Sequence, residues 1–150
     1  MPDSPSPSSW FDLFNQIGII NQLASTRFER VLPDGLTLSQ FSVLNNFARL
    51  GGTRTPAQLA FAFQVTKGAM TNTIKKLAAK GCVRITADPH DGRSKLIEIT
   101  DQGLAVRQRA VQAANAEIAS LSKQLPAQAL ALLPALNELA RALDAARDNL

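Results

Sequence analysis

The chain has 150 residues, 45% of them hydrophobic, and its 16 lysines and arginines against 12 aspartates and glutamates leave a formal net charge of +4. That is enough apolar material for one folded domain with helical appendages, and too much for disorder throughout. A single cysteine excludes an internal disulfide and a multi-cysteine zinc site, and no run of about 18 apolar residues offers a membrane span.

The start, MPDSPSPSSW, has neither the basic nor the apolar region of a secretion signal, so a cytoplasmic chain is expected. Residues 1–9 are rich in Pro and Ser and read as a flexible tail. From Trp10 the apolar residues follow helical spacing: Trp10, Phe14, Ile17, then the polar Asn21, then Ala24, Phe28 and Val31. Alternating steps of four and three make a narrow seam that packs helix on helix. Pro33-Asp34-Gly35 ends this helix, giving a segment 10–33.

Thr37-Leu38-Ser39-Gln40 opens the next helix as a capping box, with Phe41, Leu44, Phe47 and Ala48 as its buried face and Gly51-Gly52 as its stop. Thr55-Pro56-Ala57-Gln58 repeats the device for a short helix of about residues 56–62, with Pro at the first helical position. After a tight turn at Phe63-Gln64-Val65, Thr66 caps a helix from Lys67 to about Lys80, stopped by Gly81. Val83, Ile85 and Ala87 alternate with polar neighbours, as do Ile97 and Ile99. They predict two half-buried antiparallel strands joined by a loop, Asp88 to Ser94. Thr100 caps a long helix with a seam of Leu104, Val111, Ala114, Ile118 and Leu121. Pro126 starts another, with leucines at 132, 136, 139, 143 and 150, and Pro134 should kink or split it.

Charge singles out the middle of this order. Residues 36–100 hold nine basic and three acidic residues; residues 1–35 hold two and four, and residues 101–150 five of each. A basic centre between neutral or acidic segments suits a module for a polyanion. In TKGAMTNTIKKLAAK, residues 66–80, Met70, Ile74, Leu77 and Ala78 share one face. Gly68, Thr71, Asn72, Lys75 and Lys76 share the other. The first turn, Lys67-Gly68-Ala69, is slim and leaves backbone N–H groups open to an anion, after the cap residue Thr66. A helix entering a DNA major groove needs this profile: a slim body, amides and hydroxyls for base edges, and cations for phosphates. The following hairpin can carry Arg93 into the neighbouring minor groove, where negative potential is concentrated. Asp91 can pair with Arg93 and orient it, while Arg84 and Lys95 serve phosphates.

The segments LTLSQFSVL, TPAQLAFAFQVTKGAMTNTIKKLAAKGCV and DPHDGRSKLIEITDQG, from about Leu36 to Gly103, resemble the MarR family of winged helix–turn–helix transcriptional regulators. The wing pattern is carried by Asp88, Asp91, Arg93, Ile97, Ile99, Thr100 and Gly103. The resemblance implies a mainly α fold with a small β-hairpin wing. The winged helix–turn–helix would span residues 36–100, flanked by dimerisation helices at 10–33 and 101–150. It implies a homodimer on a pseudo-palindromic double-stranded DNA site, acting as a repressor, with a small-molecule, often phenolic, effector. Two positions depart from the pattern: His90 and Asn72 stand where the family often has Arg. Asn72 offers instead a bidentate contact to adenine, and His90 at the loop tip offers a phosphate contact when protonated.

Other residues are weighed more plainly. Asp88, His90 and Asp91 could suggest a metal or acid/base cluster, but one imidazole and two carboxylates on a loop tip lack a supporting shell. No metal and no cofactor are expected. Cys82, between Gly81 and a strand, is expected in the core; the oxidation-sensing members of the family carry a cysteine in the first helix, and this chain has none there. Asn21 is read as a polar break in the seam. Phe14, Ile17, Phe41 and Phe47 could line an apolar ligand cavity, against the plainer reading as core. One histidine, one cysteine and no tyrosine make an enzyme a weak alternative. The stronger alternative is a winged-helix adaptor that binds proteins and not DNA.

Overall fold

The computed structural model describes residues 6–147. Its elements are α1 (Pro7–Val31), α2 (Leu38–Leu50), α3 (Pro56–Phe63), α4 (Lys67–Ala79), β1 (Val83–Ala87), β2 (Lys95–Ile99), α5 (Asp101–Ser122) and α6 (Leu133–Arg147), with short 3-10 turns at Pro33–Gly35 and Ala127–Leu132. The chain divides into two compact units, Met1–Asn115 and Ala116–Leu150.

The caps fall where the side chains can satisfy orphan N–H groups. Thr37 and Gln40, and again Thr55 and Gln58, close complete capping boxes. Thr66 caps α4 through the backbone N–H of Ala69 at 3.1 Å. Helix α1 starts earlier than expected. Ser6 caps it and Pro7 takes its first position, so residues 7–9 are helix rather than tail, while residues 1–5 and Leu150 lie outside the described residues.

The core of the first unit is a single cluster in which Val43, Leu44 and Phe47 of α2 meet Leu59 and Ala60 of α3 and Met70, Ile74 and Leu77 of α4. Cys82, Val83, Ile97, Val106 and Ala110 complete it. Two expectations about faces need correction. On α2 it is Gln40 and Val43, with Leu44 and Phe47, that are buried; Phe41 and Ala48 are only half-buried. On α5 the buried residues are Gly103, Val106 and Ala110, whereas Leu104 of the expected seam is exposed. The expected seam lies on another side of the helix from the one this core covers.

Strands β1 and β2 pair antiparallel with Val83 opposite Ile99 and Ala87 opposite Lys95. Strand β2 also exchanges both backbone hydrogen bonds of Ile97 with Arg54, at 2.8 and 3.0 Å. The hairpin is less buried than alternation suggested: on β1 only Val83 is buried, and Ile85 is exposed. A two-stranded ribbon that runs past its supporting helices has no cover for either face.

Helix α5 starts at a tight corner. The Thr100 hydroxyl donates to the carbonyl of Gly81 at 2.6 Å and accepts from the N–H of Gly103 at 3.0 Å. A Cβ on Gly103 would overlap the Cys82 carbonyl oxygen and press against Ile99 Cγ1 at 2.8 Å. In the second unit, Pro134 falls in the first turn of α6, and the helical stretch is split before it by the Ala127–Leu132 turn. No described helix is long and apolar enough to cross a membrane.

Gly103→Ala is expected to destabilise the first unit by about 1–3 kcal/mol through overpacking. A urea titration followed by circular dichroism checks this: the midpoint should fall with little change in slope.

Candidate nucleic-acid interface

The interface is built outward from the core. Buried Met70, Ile74 and Leu77 fix the inner face of α4. The same periodicity leaves Lys67, Gly68, Asn72, Lys75 and Lys76 exposed, with Thr71 half-buried at the edge of that face. Thr66 is exposed, and its hydroxyl oxygen is already engaged as the cap of α4. Around Gly68 an added Cβ would meet nothing within 4 Å, so packing inside the chain does not require glycine there. Lys67, Lys75, Lys76, Arg93 and Lys95 stand outside the ion pairs found among the described residues.

The wing loop is ordered by its two aspartates. Asp88 accepts from the backbone N–H of His90 at 2.9 Å, and Asp91 from that of Arg93 at 3.0 Å. The loop closes through Asp88 N–H to the Ser94 carbonyl at 3.0 Å. Asp91 therefore orients the wing through the backbone of Arg93, not by gripping its guanidinium as the spacing suggested. That leaves the Arg93 charge for an outside partner. Arg84 differs from expectation as well: its Nε meets Glu98 Oε1 across the ribbon at 3.1 Å. Register explains the pair, since Arg84 and Glu98 are directly opposed. The described residues hold no group of His, Cys, Asp and Glu suited to a metal ion.

The structure does not gather Phe14, Ile17, Phe41 and Phe47 around one cavity. Phe47 is fully buried, Phe41 and Ile17 are half-buried, and Phe14 is exposed with its ring stacked on Trp10. Leu32, just past the end of α1, packs on the core, which leaves Phe14 about 25 Å farther up the helix by its rise per residue. Two cavities of the first unit are lined by other residues. One lies among Leu38, Val43, Phe63, Val65, Met70 and Thr73, the other among Asp34, Lys80, Cys82, Gln102, Val106 and Arg109. Cys82 is buried, and burial pushes its thiol up from the ordinary range, with nearby Lys80 pulling the other way. A protonated, enclosed thiol matches the core role expected of it.

Sequence reasoning missed the long-range contacts that tie the end of α4 and the start of α5 to their neighbours. Lys80 Nζ donates to the Asp34 carbonyl at 2.6 Å, and Arg109 meets Asp34 Oδ2 at 2.6 Å. Gln102 Nε2 donates to the Lys80 carbonyl at 2.8 Å. Arg107 donates twice to Asn45 Oδ1, at 2.9 and 3.1 Å. These pairs are up to 75 residues apart in sequence, and no local pattern marks them.

The sequence profile of the MarR family matches residues 34–94. The multiple antibiotic resistance protein MarR of Salmonella typhimurium is 31% identical over 131 residues, covering 81% of this chain and 90% of that protein. The chain belongs to the MarR family. MarR of Escherichia coli K12 shows the same identity over the same coverage. Among solved structures, the transcriptional regulator BldR of Sulfolobus solfataricus superposes with a TM-score of 0.77 at 28% identity, covering 93% of this chain and 99% of BldR. A cysteine-to-serine mutant of E. coli MarR complexed with operator DNA gives 0.72 at 28% identity, covering 91% and 99%. The MarR family is one of transcriptional regulators, which are not enzymes. This member is a DNA-binding transcriptional regulator with a winged helix–turn–helix.

Glu98→Gln should release Arg84. If Arg84 then reaches a phosphate, the slope of log affinity against log salt should steepen by about 0.9. Fluorescence anisotropy on a duplex over a salt series reads this directly; an unchanged slope would place Arg84 away from the backbone.

Proposed function

We propose that this MarR-family regulator is a cytoplasmic homodimeric repressor in which each protomer lays α4 into a major groove of a pseudo-palindromic operator. The observation that carries the reading is the outward face of α4, where Asn72, Lys75 and Lys76 are exposed on a helix whose other face is locked into the core. Thr66, Lys67, Gly68 and Thr71 form the leading turn toward the bases. Gly68 allows close approach, and its smallness has no use inside the chain. Arg93, with Asp91 holding its backbone, enters the minor groove, while Lys95 and the partly neutralised Arg84 meet phosphates.

A second copy accounts for the apolar surface of α1. That helix has no buried residue, and Phe11 and Leu23 are 70% and 69% exposed. Apolar rows of this kind mark an interface. The leucines of the second unit, Leu130, Leu132, Leu133 and Leu143, are exposed in the same way. In a dimer the two α4 helices read half-sites about 34–36 Å apart. A small-molecule effector releases the operator to the extent that it prefers the dimer geometry that does not fit DNA. No catalytic role is proposed.

Selection from a random duplex pool should return an inverted repeat with half-sites one helical turn apart. Asn72→Ala should then lose about 1–3 kcal/mol of discrimination at one base position. Lys75→Ala with Lys76→Ala should weaken all sequences alike and flatten the salt slope. No retained DNA at low salt would sink this reading and favour the protein-binding adaptor.

A further inference from the structure

Lys80, the C-cap residue of α4, is held from two sides. Its carbonyl accepts Gln102 Nε2 at 2.8 Å, and its Nζ donates to the Asp34 carbonyl at 2.6 Å. Asp34 in turn accepts Arg109 Nη2 on its Oδ2 at 2.6 Å. Gln102 and Arg109 stand about two turns apart along one face of α5. The three bonds therefore close a ring through the end of α4, the loop after α1 and the first half of α5. Asp34 sits in that ring with a left-handed backbone, φ 58°, and Gly35 follows at φ 63°. A left-handed aspartate costs conformational energy and persists where its surroundings hold it. Here its carbonyl and its carboxylate are both held. Helix α1 has no buried residue, and its attachment gathers near this loop. Phe28 and Val31 are half-buried, Leu32 packs on the core, and Glu29 accepts the N–H of Leu38 at 3.2 Å.

We propose that Asp34 is a positioning residue for operator recognition: it fixes the direction of α4 against α1, and through a dimer formed on α1 it fixes the half-site spacing that the protein accepts. This rests on the dimeric regulator reading given above. Asp34 touches no base in this role and acts through Lys80 and Arg109. A change of angle at the loop is repeated in the second protomer by symmetry, so it appears as a change in the distance between the two reading helices. The side chains of Arg109 and Asp34 are 52% and 50% exposed, and an exposed pair contributes little to stability. What the ring supplies is direction, from three bonds that leave one arrangement of the loop, α4 and α5. Cutting one of them leaves the outward face of α4 as it is, because Met70, Ile74 and Leu77 still lock the inner face.

The test is fluorescence anisotropy of the full chain on four duplexes: the selected inverted repeat, the same repeat with one base pair added at its centre, with one removed, and a single half-site. Asp34→Asn keeps the backbone carbonyl and tolerates the left-handed conformation, but gives up the charge that holds Arg109. Lys80→Met cuts a different link of the ring. Each should lower the ratio of affinities between the selected and the altered spacings by about two- to fivefold, the scale of an exposed charge pair. Affinity for the single half-site should stay unchanged. Val43→Ala, which loosens the core outside the ring, should leave the ratio as it is. A ratio unchanged in both ring variants would overturn the positioning role, and so would a loss that the single half-site shares equally. A wild-type chain that binds no duplex, or binds all spacings alike, would instead refute the dimeric regulator reading and this inference with it.

Discussion

The reading head hangs on one close approach, the backbone of α5 at Gly103 against the carbonyl of Cys82. Four chain directions meet at that corner. Helix α4 has just ended at Gly81, whose carbonyl receives the Thr100 hydroxyl. Strand β1 is starting, β2 is ending, and Thr100 N–H returns to the Cys82 carbonyl at 3.1 Å. Because a side chain on Gly103 has no room, any residue other than glycine there would push α5 away from the junction of α4 and the hairpin. The wing and the reading helix are thus set by the same few backbone atoms.

Around that corner, electrostatics is arranged by what is tied down and what is left out. Lys80, Arg84, Arg107 and Arg109 are engaged by Asp34, Glu98 and Asn45. Those cations position elements. The cations of the outward α4 face and the wing tip carry no such partner among the described residues. The basic surplus of residues 36–100 therefore splits into a structural share and a share facing outward, a division that counting charges in sequence could not draw.

Much of the fold was legible because its determinants are local. A Thr and a Gln three residues apart announce a capping box within one turn, and Gly81 stops α4 at the expected place. Periodicity found the inner face of α4 because that helix is packed on one side only. It failed on α5, whose apolar residues serve more than one face: Leu104 was read as seam, and Val106 and Ala110 are what the core takes. It also failed on β1, since alternation says which side a residue points to but not whether anything covers that side. Of the candidate site, the exposed residues of α4 and the wing were legible from composition and spacing. The role of Asp91 was placed on the wrong atoms, because a short carboxylate reaches a backbone N–H two residues on more readily than a long guanidinium.

The hairpin is anchored at its root and nowhere else. Ile97 has a neighbour on both sides, paired with Ile85 of β1 and hydrogen-bonded to Arg54, but beyond it the ribbon has one partner strand and no cover. An isolated two-stranded ribbon is marginal in water. The free protein therefore holds Arg93 in place through the Asp91 turn and the Asp88–Ser94 closure of the loop, and whatever the wing settles on must supply the rest of its order. The entropy surrendered there would be subtracted from any contact that Arg93 made. The wing is in that sense a tunable element: stiffening its outer half would raise affinity for every surface it fits, and would reduce its ability to follow grooves of different width.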